Sequence, residues 1–428
     1  MKVVIINKSD STGGAAVVSR RLLLALRDLG VDASMLVAEK LTDYPFVVQA
    51  AHGCAMKAPF LAERLRIFFE NGFNRADLFK VDSASDGIPL WKNPLVRDAD
   101  VICLNWVNQG LLSIEGLKRI AALGKPIVWT MHDMWNFTGI CHHAGNCSNW
   151  HRSCGDCRFL GKKMAPDDLS NKVWCKKKGA YAFARTASQG DGINFVAVSN
   201  WLADLARRSS LLNDARISVI PNAFPLPIKP VEHLPHDKFR IVMGAARLDD
   251  PVKGLPILIE TTRRIRSTAP EMADNMELIT FGNIKNPEAF RGIAISHCHL
   301  GPISGEQNIR NIYAGADTVI STSLYETLPG TLVEGLAYGC VPVAFNRGGQ
   351  PDIIDHLKTG YIARWDDNPE LAAINIAEGL RWAMAVSSPR HRALMLDEAR
   401  KKFDASAVAK EYLRLFNRIL QNPNSTRS

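Results

Sequence analysis

Two glutamates, Glu326 and Glu334, stand with seven residues between them in the stretch Ser321 to Asp352. An apolar run ends at Ser323 and carries Glu326 into a loop. Pro329-Gly330 then turns the chain, and Thr331 to Tyr338 reads as a short helix closed by Gly339. A helix start exposes backbone N–H groups, here those of Gly330, Thr331 and Leu332, together with the positive end of the helix dipole. These are the requirements for holding a phosphate, and the flanking carboxylates are placed to grip the polar ends of a phosphate-linked ligand. A purely structural alternative has the same spacing: Thr331 and Glu334 can form a capping box, with the threonine capping the helix and the glutamate reaching back to its N–H.

Three further groups have the chemistry of a site. Arg247 and Lys253 lie six residues apart in one loop after an apolar run; a planar fork and a point charge can converge on a diphosphate, or both can be surface charge. His132-Asp133 falls where the run Pro126 to Met131 ends, so the imidazole is polar and aimed to bond a hydroxyl or a phosphate, or else serves the turn. Cys141, Cys147, Cys154 and Cys157 follow with the spacing C-x5-C-x6-C-x2-C, with His142, His143 and His151 among them. Four thiolates in seventeen residues can close a tetrahedral structural zinc site; the alternative is a set of reduced, partly buried thiols.

The elements that must position these groups alternate between strand and helix. Val3 to Ile6 is a predicted buried strand, Asn7 to Gly14 a polar turn, and a helical pattern runs from Val17 to Leu29. Gly13-Gly14 lets backbone approach a ligand there, as at the start of a Rossmann-like half. Val101 to Leu104, Pro126 to Met131 and Asn194 to Val198 are further strands, which argues for a parallel sheet with ligands at its carboxyl edge. Four prolines, Pro221, Pro225, Pro227 and Pro230, end the first domain. Strands at Phe239 to Ala245, Met276 to Phe281 and His299 to Pro302 start a second. The expected domains are 1–224, with the cysteine insertion at 141–157, and 225–400. A helix over 401–421 with one apolar face follows, and a disordered tail spans 422–428.

The chain has 428 residues, 46% of them hydrophobic, which suits two or three cored domains. No run of about 18 apolar residues is present and the N-terminus lacks a signal-peptide pattern, so a cytoplasmic protein with reduced cysteines is expected. A net charge of +9 calls for an anionic partner, but no nucleic-acid module is recognisable. From Phe60 to Lys80 five phenylalanines are interleaved with Arg64, Arg66, Arg75 and Lys80. Packing on a core is the default explanation; an amphipathic segment touching acidic lipid, peripheral at a membrane, is the sharper one.

The stretch around Glu326 and Glu334, with Gly348-Gly349 and Pro351 after it, resembles the nucleotide-sugar site of glycosyltransferase family 4, and WTMHDMWNFTG resembles its exopolysaccharide and colanic-acid-type members. The resemblance implies an α/β GT-B architecture: two Rossmann-like domains face each other across a cleft, and the last helix crosses back to the first. It implies a retaining transfer of sugar from a nucleoside diphosphate sugar to a hydroxyl acceptor, a lipid-linked or growing saccharide. Glu326 then contacts the donor sugar, Glu334 the ribose, Arg247 and Lys253 the diphosphate, and His132 the reaction centre. Gly13 and Gly14 shape the acceptor or diphosphate side. No cofactor is required for catalysis. Asn105-Trp106 departs from the His-Trp usual in such enzymes. A non-hydrolysing sugar-nucleotide epimerase and a zinc-stabilised polyanion-binding protein are the rival readings.

Overall fold

The computed structural model describes residues 1–188 and 192–421, so the expected tail at 422–428 lies outside the described residues. The chain divides into two compact units, Met1–Ala223 joined by the chain from Val408, and Phe224–Ala407. The units divide at 223/224 and 407/408, beside the sequence-based boundaries at 224/225 and 400/401. Phe224 donates its N–H to Phe403 and accepts from Ala405, which ties both ends of the second unit together.

The first unit is built on a seven-stranded sheet. Its strands are β1 (Lys2–Ser9), β2 (Asp32–Glu39), β3 (Val47–Gln49), β4 (Val101–Leu104), β5 (Ile127–Met131), β6 (Ile193–Ala197) and β7 (Arg216–Val219). They run parallel in the order β3-β2-β1-β4-β5-β6-β7. Near-continuous Val, Ile and Leu in β1, β4 and β5 is what a parallel strand buried on both faces requires, and these strands are buried along almost their whole length. The helix Ala405–Gln421 buries Val408, Tyr412, Leu415, Phe416 and Ile419. Within the first unit, the Tyr412 hydroxyl lies 2.9 Å from Thr130 Oγ1 on β5.

The second unit holds a six-stranded sheet of β8 (Phe239–Arg247), β9 (Met276–Asn283), β10 (Ser296–His299), β11 (Thr318–Ser321), β12 (Val341–Phe345) and β13 (Tyr361–Ala363). All pairs are parallel, in the order β10-β9-β8-β11-β12-β13. Counted from its own first strand this is 3-2-1-4-5-6, the doubly wound order in which connections reverse between strands 1 and 4. The first unit starts the same way, with its reversal between β1 and β4. In such sheets ligands bind outside the carboxyl ends of the strands at that reversal. The strand predicted at His299 to Pro302 lies instead at Ser296–His299. His297 and His299 both reach Thr280 Oγ1, at 2.9 and 3.0 Å, while Gly301 at φ 71° ends the extended run.

Candidate active site

At the reversal in the second unit, the chain leaving β8 meets the chain leaving β11. The Thr322 hydroxyl donates to the Lys253 carbonyl at 2.9 Å, and the Leu324 N–H donates to the Val252 carbonyl at 2.8 Å. Gly254 makes this approach possible: it is left-handed at φ 67°, and a Cβ there would stand 2.0 Å from the Thr322 carbonyl oxygen. Two loops so joined bring the Lys253 ammonium into an ion pair with the Glu326 carboxylate, each side chain at least three-quarters buried.

Glu326 is fixed from its other side by the turn after β12. The Gly349 N–H donates to the Glu326 carbonyl at 2.8 Å. Gly348, at φ 62°, lies so close that a Cβ would meet that oxygen at 2.2 Å. Fully buried Gln350 locks the turn by donating to the carbonyls of Arg347 at 3.1 Å and Ser323 at 3.3 Å. The signature glycines thus serve backbone approach.

The helix after Glu326 spans Gly330–Ala337, with Pro329 at its N-cap and no side-chain capping bond. Thr331 is already the second helical residue, so the capping-box alternative does not form. The Leu332 N–H donates to the Pro329 carbonyl at 3.2 Å, which leaves the amides of Gly330 and Thr331 at the open end of the dipole. Half-buried Glu334 lies one turn further on. It neighbours Tyr313, whose phenol is held well above its ordinary range by burial and then by the Glu334 charge.

Arg247 closes β8. Its guanidinium lies 3.3 Å from Asp249 and 3.4 Å from Asp250. Asp249 in turn accepts the N–H groups of Lys285 at 3.0 Å and Asn286 at 3.2 Å. Arg247, Lys253 and Glu326 therefore belong to adjoining loops at one edge of the sheet, with Lys253 and Glu326 in direct contact.

In the first unit, Gly13 has φ 89° and starts the helix Gly14–Asp28. No atom lies within 4 Å of a Cβ built at Gly13 or Gly14. His132 follows β5, with Nε2 2.9 Å from Asn105 Oδ1 after β4. With the Asn105 amide oxygen as acceptor, Nε2 carries the hydrogen. Burial pushes the His132 pKa down to about 4 against the opposing effect of Asp133, so the ring is neutral at pH 7. Asn105, which departs from the usual family residue, is thus a partner of His132.

Beside it runs a buried polar chain that the sequence analysis did not identify. Asp133 accepts from Trp106 Nε1 at 2.9 Å and from His142 Nδ1 at 2.8 Å, and His142 Nε2 reaches Asp82 at 2.7 Å. Asp82 pairs with Arg64, and Arg64 lies 3.2 Å from Glu63. Burial alone would lower the His142 pKa, but the two carboxylates raise it to about 10. Burial alone would raise that of Asp133, but His142 holds it well below the carboxylate range. Burial and then the Asp82 charge push Glu63 up to about 7. The five acidic and basic groups come from three separate segments, around 63–64, 82 and 133–142, so spacing carries no trace of their contact.

Cys141, Cys147, Cys154 and Cys157 are free thiols in one insertion, and every pair of them interacts electrostatically. Cys154 Sγ accepts the Gly139 N–H at 3.0 Å. Buried Lys177 stands beside Cys141 and Cys154 and donates to the Thr138 carbonyl at 3.1 Å. The thiols are not drawn into a closed cluster. Among the described residues, the group of three with ligand atoms all within 4.8 Å is His233, His236 and Asp317. That group sits at the amino end of β11, away from Glu326, where Arg392 lies 3.2 Å from Asp317.

Residues 228–400 match the family model described as glycosyl transferases group 1. The Escherichia coli K12 protein WcaC, which carries the name of a colanic acid biosynthesis glycosyl transferase, is 24% identical over 318 residues, 73% of each chain. Among solved structures, Anabaena HepE in complex with UDP and glucose is similar at a TM-score of 0.57 and 16% identity, covering 98% of this chain and 100% of that one. Thermosynechococcus elongatus sucrose-phosphate synthase is similar at a TM-score of 0.62 and 14% identity, with the same coverage. With this match over residues 228–400, the chain is a glycosyltransferase of the GT-B fold.

Proposed function

We propose that the protein transfers a sugar, with retention at the anomeric carbon, from a nucleoside diphosphate sugar to a hydroxyl of a lipid-linked or growing saccharide in cell-surface polysaccharide synthesis. The observation that carries the reading is the Lys253–Glu326 pair at the sheet reversal of the second unit, beside the amides of Gly330 and Thr331. HepE has been crystallised with UDP and glucose and with UDP-glucose, which supports a nucleotide-sugar donor, and WcaC bears a colanic acid name, which supports a surface-glycan product.

In this reading Lys253, Arg247 and the two amides neutralise the leaving diphosphate, Glu334 holds the ribose, and Glu326 positions the donor sugar. The bond from the anomeric carbon to the diphosphate oxygen breaks, and the acceptor oxygen bonds that carbon. The acceptor proton passes to the departing phosphate. No protein nucleophile is required, and fixed donors supply the stabilisation without reorganising. Neutral His132, held by Asn105, is suited to hydrogen-bond a sugar hydroxyl or phosphate on the first unit. Gly13-Gly14 offers open backbone to an anionic group.

The four-cysteine insertion is proposed to hold a structural zinc. Four thiolates suit the ion, an N–H···S bond already supports Cys154, and buried Lys177 offsets negative charge. Elemental analysis of purified protein tests this, and zinc at background level would rule it out.

The function is tested by thermal stabilisation against a panel of sugar nucleotides, followed by product analysis with and without saccharide acceptors. Stabilisation by a donor and a new glycoside only when acceptor is present are expected. Turnover of the sugar nucleotide into an epimer without acceptor would overturn the reading.

A further inference from the structure

The helix Cys54–Glu70 buries Glu63 and Arg64 beside Ile67 and leaves an apolar stripe outside. A surface helix normally turns its apolar stripe to the core and its charges to water. Here Glu63 is fully buried and Arg64 nearly so. Leu61, Leu65 and Phe69, spaced four apart on the opposite face, are each more than half exposed, and Phe73 continues the stripe just beyond the helix. The burial of Glu63 and Arg64 is accounted for: Glu63 accepts the Ala84 N–H at 2.6 Å, and Arg64 donates to the carbonyl of Leu78 at 2.7 Å and pairs with Asp82. The exposure of four large apolar side chains has no such account within the fold.

The tip of the stripe is built rather than frayed. Phe73 is left-handed at φ 66°, a conformation uncommon for a bulky residue. Its N–H donates to the Phe68 carbonyl at 2.9 Å, and its ring packs edge-on against Phe68 at 5.2 Å and Phe69 at 5.4 Å. Exposed Met164 lies in the neighbouring segment, which Lys163 joins to the end of the helix through Glu70 at 3.8 Å.

Charge selects among the possible occupants of this face. Lys163 pairs with Glu70 and Lys80 with Asp77, whereas Lys57, Arg66, Arg75 and Lys162 make no ion pair among the described residues. Two copies of the chain meeting through this face would bring the same cations together. An anionic bilayer surface offers hydrocarbon for the stripe and phosphates for its flanks, the pairing that holds interfacial helices.

We infer that the Leu61–Leu65–Phe69–Phe73 face seats the first unit on an anionic membrane surface. The buried side of the same helix reaches, through Arg64, Asp82 and His142, the Asp133 next to His132. Gly110, in the loop after β4, presses directly on the helix backbone, where a Cβ would meet the Phe60 nitrogen at 2.4 Å. The docked helix is thereby tied to the edge assigned to the acceptor, which suits an acceptor carried on lipid. Only that last link rests on the function proposed above.

The test is co-sedimentation of the full-length protein with phosphatidylglycerol-containing vesicles and with pure phosphatidylcholine vesicles, without donor or acceptor, so it is independent of transfer. Binding to the anionic vesicles, weakened by high salt and reduced at least tenfold in Leu65→Ser/Phe69→Ser, is expected. Both positions are exposed, and an unchanged melting temperature verifies that the variant folds. Wild-type protein left in the supernatant, or a variant that binds as tightly, overturns the inference. So does light scattering that shows a wild-type dimer and a monomeric variant, which would assign the face to a second copy.

Discussion

Lys253 and Glu326 neutralise each other, so each is held where a donor will need it without being stranded as a lone charge. If Lys253 stabilises the leaving diphosphate, Lys253→Ala should remove about 2–4 kcal/mol of transition-state stabilisation, roughly a 30- to 1,000-fold fall in kcat/KM. Initial-rate measurement checks this, and undiminished turnover would remove Lys253 from the mechanism. A different residue sets the pH response of the fold. Burial works against the charge on His142, but Asp133 and Asp82 raise its pKa to about 10 from the ordinary 6.5. A histidine raised on folding contributes fully below pH 6.5, and its contribution is lost as pH climbs to about 10. Urea unfolding should therefore show a stability loss of a few kcal/mol, about 2–4, between pH 6.5 and 9.5. An imidazole resonance showing His142 neutral at pH 8 would contradict this.

At the scale of elements, what could be read from the sequence was whatever one segment decides for itself. β4 follows directly from Val101 to Leu104, and the Gly330–Ala337 helix from the Pro-Gly turn and Gly339. The contact between Lys253 and Glu326 joins loops 73 residues apart and needed the sheet order to appear. For Cys54–Glu70, periodicity separates two faces but cannot say which one meets the core. Asp82 and Ala84 decide it, because they hold the partners that Glu63 and Arg64 require. β10 was displaced for a related reason: its two histidines look like loop residues until Thr280 is placed beside them. The glycines separate by the same logic. Gly348→Ala combines a left-handed backbone with a methyl 2.2 Å from the Glu326 carbonyl oxygen. It should cost at least about 2 kcal/mol of stability and abolish stabilisation by the donor. Gly13→Ala meets nothing within 4 Å and should cost only the conformational term, about 1–2 kcal/mol. Equal losses in the two variants, measured by thermal unfolding, would refute the packing role assigned to Gly348.

At the scale of the whole molecule, the chain leaves the first unit at Ala223, builds the second, and returns from Val408 to finish the first. The first unit is therefore discontinuous, and its core is incomplete until the last helix has arrived. That helix buries six apolar or aromatic side chains, Val408, Ala409, Tyr412, Leu415, Phe416 and Ile419, and its tyrosine meets Thr130 on a central strand. At about 1.5–3 kcal/mol for each of the five large side chains, their loss is comparable to the roughly 5–15 kcal/mol that holds an ordinary domain together. A chain ending at Ala407 should therefore lose the cooperative unfolding transition of the first unit in calorimetry. It should keep a second-unit transition that still rises with a sugar nucleotide, because the loops carrying Arg247, Lys253 and Glu326 remain. Tyr412→Phe keeps the packing and removes one hydrogen bond, so it should cost only about 0.5–1.5 kcal/mol. If the truncated chain showed both transitions at their original temperatures, the last helix would be an appendage rather than part of the core.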